Sequence, residues 1–316
     1  EILASFLISS EIRKKIKKIK KRAKNFNNAS FKKILSKLNF ELTKDQIKSL
    51  EDINFDLSSK TKMFRLLQGD VGSGKTIVAL ISAFNVINSG YQVAFMAPTE
   101  ILARQHFKLA KNLFDKKITV DILSSKTEYS RRKKIIDQIK DHKINIIFGT
   151  HSLFQKKINF AKLGFIIIDE QHKFGVRQRK LLSDKGGDNC DILLMSATPI
   201  PRTLIMSIYG DMDISIIKEK PKNRKEVITY SKLESKINDV INFVKKQISE
   251  KNQIFWVCPL IEESKKIDHE SAIKKFEFLS NIFPNLVNVI HGKIDKDKKE
   301  KILKDFLDKK FMILVS

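Results

Sequence analysis

Leu66-Leu67-Gln68-Gly69-Asp70-Val71-Gly72-Ser73-Gly74-Lys75-Thr76 is an apolar strand running into a G-x-x-x-x-G-K-T turn. Met63, Phe64, Leu66 and Leu67 supply the strand, and residues 77–87 read as an apolar-rich helix after the turn. Gly69, Gly72 and Gly74 lack a Cβ, so the backbone around Ser73 can enter φ > 0 and aim its amides at phosphate oxygens where the helix begins. In such a loop the ammonium of Lys75 reaches the β- and γ-phosphates of a nucleotide, and the hydroxyl of Thr76 holds Mg²⁺. A glycine-rich turn arising by chance would lack this strand before it and this helix after it.

Working outward, 316 residues suffice for two domains, and a hydrophobic content of 42% is that of a globular chain. No apolar run approaches the ~18 residues that cross a bilayer, so a membrane is excluded as a partner. The chain begins at Glu1 with no secretory pattern, and reads as a piece of a longer one. Lys and Arg number 61 against 36 Asp and Glu, a formal charge of +25 that fits a polyanion such as nucleic acid. About half of this excess reads instead as drift on solvated faces, because Lys, Ile and Asn are over-used throughout. Cys190 and Cys258 stand far apart without metal-ligand neighbours, as small core residues in a reducing cytoplasm would.

Residues 3–24 space Leu3, Leu7, Ile12, Ile16, Ile19 and Ala23 three to four apart among Lys and Arg, which predicts a basic amphipathic helix. Tracking of DNA phosphates, packing against an absent domain and simple solvation all account for it. After a break at 25–30, a short helix from Phe31 leads to Phe40-Glu41-Leu42-Thr43-Lys44-Asp45-Gln46, with Thr43 as the N-cap of a helix over 44–53. Gln46 either closes a capping box or, about 30 residues before the phosphate loop, reads the edge of adenine with its amide. Strands at 91–97, 118–123, 144–148, 165–168 and 192–195 largely alternate with helices at 101–114 and 128–140. That order predicts an α/β fold with a parallel sheet, whose polar residues cluster at strand carboxyl ends. Residues 209–224 read as a linker. Strands at 227–230, 254–258, 286–291 and 312–315, with helices at 234–250, 271–283 and 296–307, begin a second sheet that is unfinished at Ser316.

Asp169 and Glu170 end an apolar strand about 90 residues after Lys75. Asp169 is placed to hold Mg²⁺, and Glu170 to orient and deprotonate an attacking water, which makes hydrolysis the expected reaction. An acidic pair that merely caps a loop is the plainer alternative. Gln171 and His172 either satisfy their own loop or sense the γ-phosphate and pass its state to Ser196-Ala197-Thr198. Thr99, Gln105, His106, Thr150 and His151 lie on strand-end turns or the helices these open, where hydroxyls and amides commonly bind nucleic-acid phosphates. Capping of helices explains Thr99 and Thr150 almost as well.

Together these stretches resemble superfamily 2 nucleic-acid translocases and, among them, the RecG family of ATP-dependent DNA branch-migration helicases. Phe40–Thr43 with Gln46 is similar to that family's Q motif, and Gln68–Thr76 to its motif I. Ala97-Pro98-Thr99-Glu100 with Gln105-His106 is similar to motif Ia, and Gly149-Thr150-His151 to the next DNA-contacting turn. Asp169-Glu170-Gln171-His172 through Arg179 resembles motif II, and Ser196-Ala197-Thr198-Pro199 motif III. Val257–Ser264 and His291-Gly292 resemble the start of the second motor domain. Transcription-repair coupling translocases, the rival family, usually show Asp-Glu-Glu-His where this chain has Asp-Glu-Gln-His.

The resemblance implies ATP and Mg²⁺ as cofactors and a RecA-like P-loop motor. It implies a monomer in the bacterial cytoplasm that regresses forks and branch-migrates Holliday junctions. It divides the chain into a basic linker helix (1–30) after an absent wedge domain, a first RecA-like domain (31–208), a linker (209–225) and part of a second RecA-like domain (226–316). It puts the arginine finger, worth ~10³–10⁵ in rate, beyond Ser316, so this piece is expected to bind nucleotide weakly, hydrolyse it poorly and leave DNA wound. A nucleotide-dependent scaffold without turnover is the rival of a different class.

Overall fold

Successive residues of a strand face opposite sides of a sheet, and in this chain both sides are apolar. A computed structural model describes residues 20–26, 28–124, 127–154, 158–170, 187–198, 212–221, 227–258 and 265–316. The chain forms two compact units, Glu1–Lys225 and Glu226–Ser316. In the first, β1 (Phe64–Gly69), β2 (Gln92–Met96), β3 (Val120–Leu123), β4 (Ile146–Gly149), β5 (Leu163–Ile168), β6 (Asp191–Ser196) and β7 (Asp213–Ile217) form one parallel sheet. Their spatial order is β3-β4-β2-β5-β6-β1-β7.

Leu67, Val93, Phe95, Phe165, Ile167, Leu193 and Met195 point into one core, and their neighbours Leu66, Ala94, Met96, Ile166, Ile168, Leu194 and Ile192 into the other. Val78, Leu80, Ile81 and Phe84 of α3 (Lys75–Asn88) cover the first face, with Ile34 of α1 (Asn28–Leu35). Leu50, Ile53 and Leu57 of α2 (Lys44–Ser58) and Ala103, Ala110 and Leu113 of α4 (Glu100–Leu113) complete that layer. Ile135 and Ile139 of α5 (Tyr129–Lys140) pack on the second face. Burial on both faces is why the strands are continuous apolar runs rather than alternating ones. Each fully buried aliphatic side chain contributes about 1.5–3 kcal/mol relative to exposure.

The second unit carries a smaller parallel sheet, β8 (Ile254–Trp256), β10 (Ile313–Val315) and β9 (Val287–Val289) in that order. Ile241 and Val244 of α6 (Ile237–Ser249) and Leu279 of α7 (Lys265–Ile282) pack against Ile313 and Val315. Leu314 turns the other way, into a cluster with Phe306 of α8 (Lys296–Leu307) and Phe311.

Three expectations need correction. Residues 213–217, taken for linker, are β7, whose Ser215 accepts a hydrogen bond from Arg65 Nη1 (2.8 Å) and donates one to Asp52 (2.7 Å). Residues 227–230 are not a strand: Val227, Ile228 and Tyr230 are exposed and pair with no strand among the described residues. The basic helix predicted over 3–24 lies outside the described residues as far as residue 19; beyond it Lys20 bridges antiparallel to Thr61, residues 21–26 are neither helix nor strand, and helix starts at Asn28.

In that non-helical piece two lysines turn inward. Lys21 and Lys24 are paired with Asp191 at the amino end of β6, and all three side chains are fully buried. Lys21 Nζ reaches both carboxylate oxygens (2.8 and 2.7 Å) and the carbonyls of Asp56 and Leu57 at the end of α2, while Met63 N–H donates to Asp191 Oδ1 (2.7 Å). Burial pushes the Lys21 ammonium below its ordinary pKa, and Asp191 pulls it back up. Removing the carboxylate leaves two desolvated ammonium groups without a counter-charge. Asp191→Ala is therefore expected to cost about 3–5 kcal/mol in denaturant unfolding. A loss below about 1 kcal/mol would mean that the strap at 20–24 does not hold to the sheet.

Candidate active site

β6 lies between β1 and β5, and the register sets Gln68 beside Ser196 and Ile168 beside Leu194. The three strands therefore release their turns side by side at one carboxyl rim. The turn after β1 is the phosphate loop. Gly74 caps α3 with φ 88°, and a Cβ on it would stand 2.3 Å from Gln46 Nε2. Gly69 is needed for space: its Cβ would meet Ser73 Oγ at 2.6 Å and the Ile217 carbonyl of β7 at 2.9 Å. Ser73 Oγ is buried without a hydrogen-bond partner among the described residues, an orphan of the sort that a ligand oxygen satisfies.

Lys75 Nζ donates to the carbonyls of Gly69 (2.6 Å) and Asp70 (3.0 Å). Burial pushes this ammonium below its ordinary pKa, and the carboxylates of Asp169, Glu170 and Asp70 act in the opposite sense. Residues far apart in sequence thus meet electrostatically. Asp169, after β5, is held from three sides. Its N–H donates to the Met96 carbonyl (2.9 Å), its Oδ1 accepts from Glu170 N–H (3.0 Å), and its Oδ2 lies 2.8 Å from His106 Nε2. Glu170 adopts φ 51°, a left-handed conformation that costs a non-glycine residue of order 1–3 kcal/mol and recurs at functional sites.

The capping box is formed: Gln46 N–H donates to Thr43 Oγ1 (3.3 Å) and Thr43 N–H to Gln46 Oε1 (2.9 Å). The same amide donates from Nε2 to the Ser73 carbonyl (2.8 Å), so it ties α2 to the phosphate loop. Beside it, Leu35, Leu38, Phe40, Leu42 and Ile47, with Asn39 and Glu41, line an open recess of about 690 Å³, in which Phe40 is 48% exposed. In the middle turn, Ser196 Oγ lies 3.0 Å from Thr198 Oγ1, and Gln68 Nε2 donates to the Thr198 carbonyl (3.3 Å), so Ser196-Ala197-Thr198 is joined to the strand that feeds the loop.

The residues expected on nucleic acid separate. Thr99 is exposed and caps α4, accepting from Leu102 N–H (3.3 Å); Gln105 is exposed and Thr150 half-buried. His151 heads the short 3₁₀ turn His151–Phe154. His106 is a correction: it is buried against Asp169 and the ring of Phe95 (4.8 Å between centroids), so it is no surface contact. A signal for this was present, since Ala103, His106, Ala110 and Leu113 recur at the three-to-four spacing of the helix's inner stripe. Gln171 and His172 lie outside the described residues. Cys190 is buried, its thiol pushed up to about 12, and is chemically quiet.

Among the described residues, no group of three or more His, Cys, Asp or Glu side chains forms a metal cage. Mg²⁺ is usually held by one or two carboxylates together with substrate phosphates. Thr76 and Asp169, beside a loop with an orphaned hydroxyl and a buried ammonium, suit that arrangement.

The DEAD/DEAH box helicase family matches residues 43–206. The chain is 44% identical over 294 residues to the ATP-dependent DNA helicase RecG of Bacillus subtilis, covering 92% of this chain and 43% of that protein. It is 45% identical over 297 residues to RecG of Aquifex aeolicus, covering 93% and 38%. It thus spans about two-fifths of the length of these relatives. A solved structure of RecG bound to a three-way DNA junction superposes with TM-score 0.82 at 35% identity, covering all of this chain and 42% of that one. Mss116p bound to single-stranded RNA and AMP-PNP matches with TM-score 0.65 at 21% identity, a likeness of fold. The parallel sheet with flanking helices is the RecA-like helicase fold.

Gln46→Ala removes one capping arm and the tie to Ser73 together. A loss of about 1–2 kcal/mol in chemical denaturation is expected, and an unchanged midpoint would show that the loop is held by other groups.

Proposed function

On the premise that the chain belongs to the DEAD/DEAH box helicases and, within them, to the RecG family, we propose that it is part of an ATP-driven DNA translocase acting on branched DNA. One observation carries the reading: β1 and β5 flank β6 in parallel register, so the turn with Lys75 and the turn with Asp169 and Glu170 open on one carboxyl rim. The loop amides and Lys75 bind the β- and γ-phosphates, and the hydroxyl of Ser73 turns to a phosphate oxygen. Thr76 and Asp169 would hold Mg²⁺, which would supply neutralisation of the charge on the phosphates. Glu170 orients the attacking water and takes its proton. The base rests in the recess beside Phe40, where Gln46 keeps a second Nε2 hydrogen for its edge.

Thr99 and Gln105, on the turn and the helix after β2, and Thr150 and His151, after β4, grip DNA phosphates as nucleotide state changes. Ser196-Ala197-Thr198, with Gln171 and His172, relays that state. The +25 charge favours association with a polyanion. Fork regression and Holliday-junction branch migration in recombination and repair, in the bacterial cytoplasm and as a monomer, complete the proposal; no described helix is long and apolar enough to cross a membrane.

Two variants test it in protein expressed from the intact gene. Lys75→Ala should weaken binding of a fluorescent ATP analogue by about 10–100-fold, the worth of a charged hydrogen-bond donor. Glu170→Gln should bind as tightly as the wild type yet lose about 10²–10⁴ in turnover, and should leave the arms of a labelled three-way junction annealed where the wild type parts them with ATP. Equal turnover in Glu170→Gln and wild type would turn the reading towards a nucleotide-dependent scaffold.

A further inference from the structure

His106 serves neither of the roles just described, although it is buried and polar and lies in the middle of the site. Its helix, α4, starts at the end of β2, whose Met96 pairs with Ile168 of β5. From the inner stripe of α4, His106 reaches the turn that carries Asp169. Ala103, Ala110 and Leu113 fill this stripe with apolar contacts, and Glu100 and His106 are its buried polar members. The ring is steadied by Phe95 and places Nε2 2.8 Å from Asp169 Oδ2. Since Oδ1 is engaged by Glu170 N–H, both carboxylate oxygens have a fixed partner and the side chain cannot rotate without losing one. The outer side of the same helix is exposed at Gln105, and its first turn is capped by exposed Thr99.

We infer that His106 is a positioning residue: it fixes the carboxylate that receives Mg²⁺ and links that carboxylate to the helix that Thr99 opens. The inference rests on the ATP reading above. Side chains behind a metal ligand set its orientation and basicity, and their loss commonly costs 10–100-fold in metal affinity. The link also gives α4 a mechanical connection to the metal site, because a shift of this helix by a fraction of an ångström carries the imidazole with it.

The test is a Mg²⁺ titration of fluorescent ATP analogue binding to the full chain, followed by the same titration for His106→Ala and His106→Gln, with melting temperatures for all three. His106→Ala should raise the Mg²⁺ midpoint by about 10–100-fold while leaving affinity for the analogue in EDTA unchanged. His106→Gln, whose Nε2 lies close to the place of the imidazole Nε2, should recover most of the loss. A wild-type midpoint in His106→Ala overturns the inference. So does equal weakening with and without Mg²⁺ in both variants alongside a lowered melting temperature, which marks a packing role against Phe95. Absence of Mg²⁺-dependent binding in the wild type overturns the ATP reading itself, and the two failures are thereby told apart.

Discussion

A sheet sealed by helices on both faces has nowhere to put polar chemistry except at the ends of its strands. Everything distinctive about the first unit follows from that confinement. Adjacent residues of β1, β2, β5 and β6 are divided between two separate apolar cores, and only after Gly69, Ile168 and Ser196 does the chain leave them. Since β6 separates β1 from β5, the ammonium and the carboxylates approach from either side of a middle turn. That turn is in contact with the loop strand through Gln68.

Each polar turn is also fastened from behind by a buried side chain on another element. Gln46 of α2 holds the phosphate loop through Ser73, His106 of α4 holds Asp169, and Gln68 of β1 holds Thr198. Such fastening holds the groups in place in the absence of a ligand, so that less ordering is needed when one binds. The left-handed backbone at Glu170 is compatible with this, since a strained conformation persists only where its surroundings over-determine it.

Much of this was legible in the sequence because it depends on local pattern. Runs of Ile, Leu and Phe declare strands buried on both faces, and the glycines around Ser73 declare a turn in which Gly74 has no room for a side chain. What escaped depends on contacts between distant residues. β7 is a short edge strand, Asp-Ile-Ser-Ile-Ile, whose charged and Gly- and Pro-containing flanks hide it; its buried positions are Ser215 and Ile217. His106 carried a legible helical phase, yet its sequence neighbour Gln105 and the motif they share drew it to the surface. Lys21 and Lys24 sit in a basic run where nothing local distinguishes a buried lysine from a solvated one. Only the carboxylate of Asp191, 167 positions beyond Lys24, decides it.

That lysine clasp has a mechanical corollary. It closes on the amino-terminal rim of the sheet, the rim opposite the phosphate loop, and engages β6 and the last turn of α2 at once. A load reaching Lys21 and Lys24 along the chain therefore passes into an interior strand and a core helix together, not into a surface loop alone.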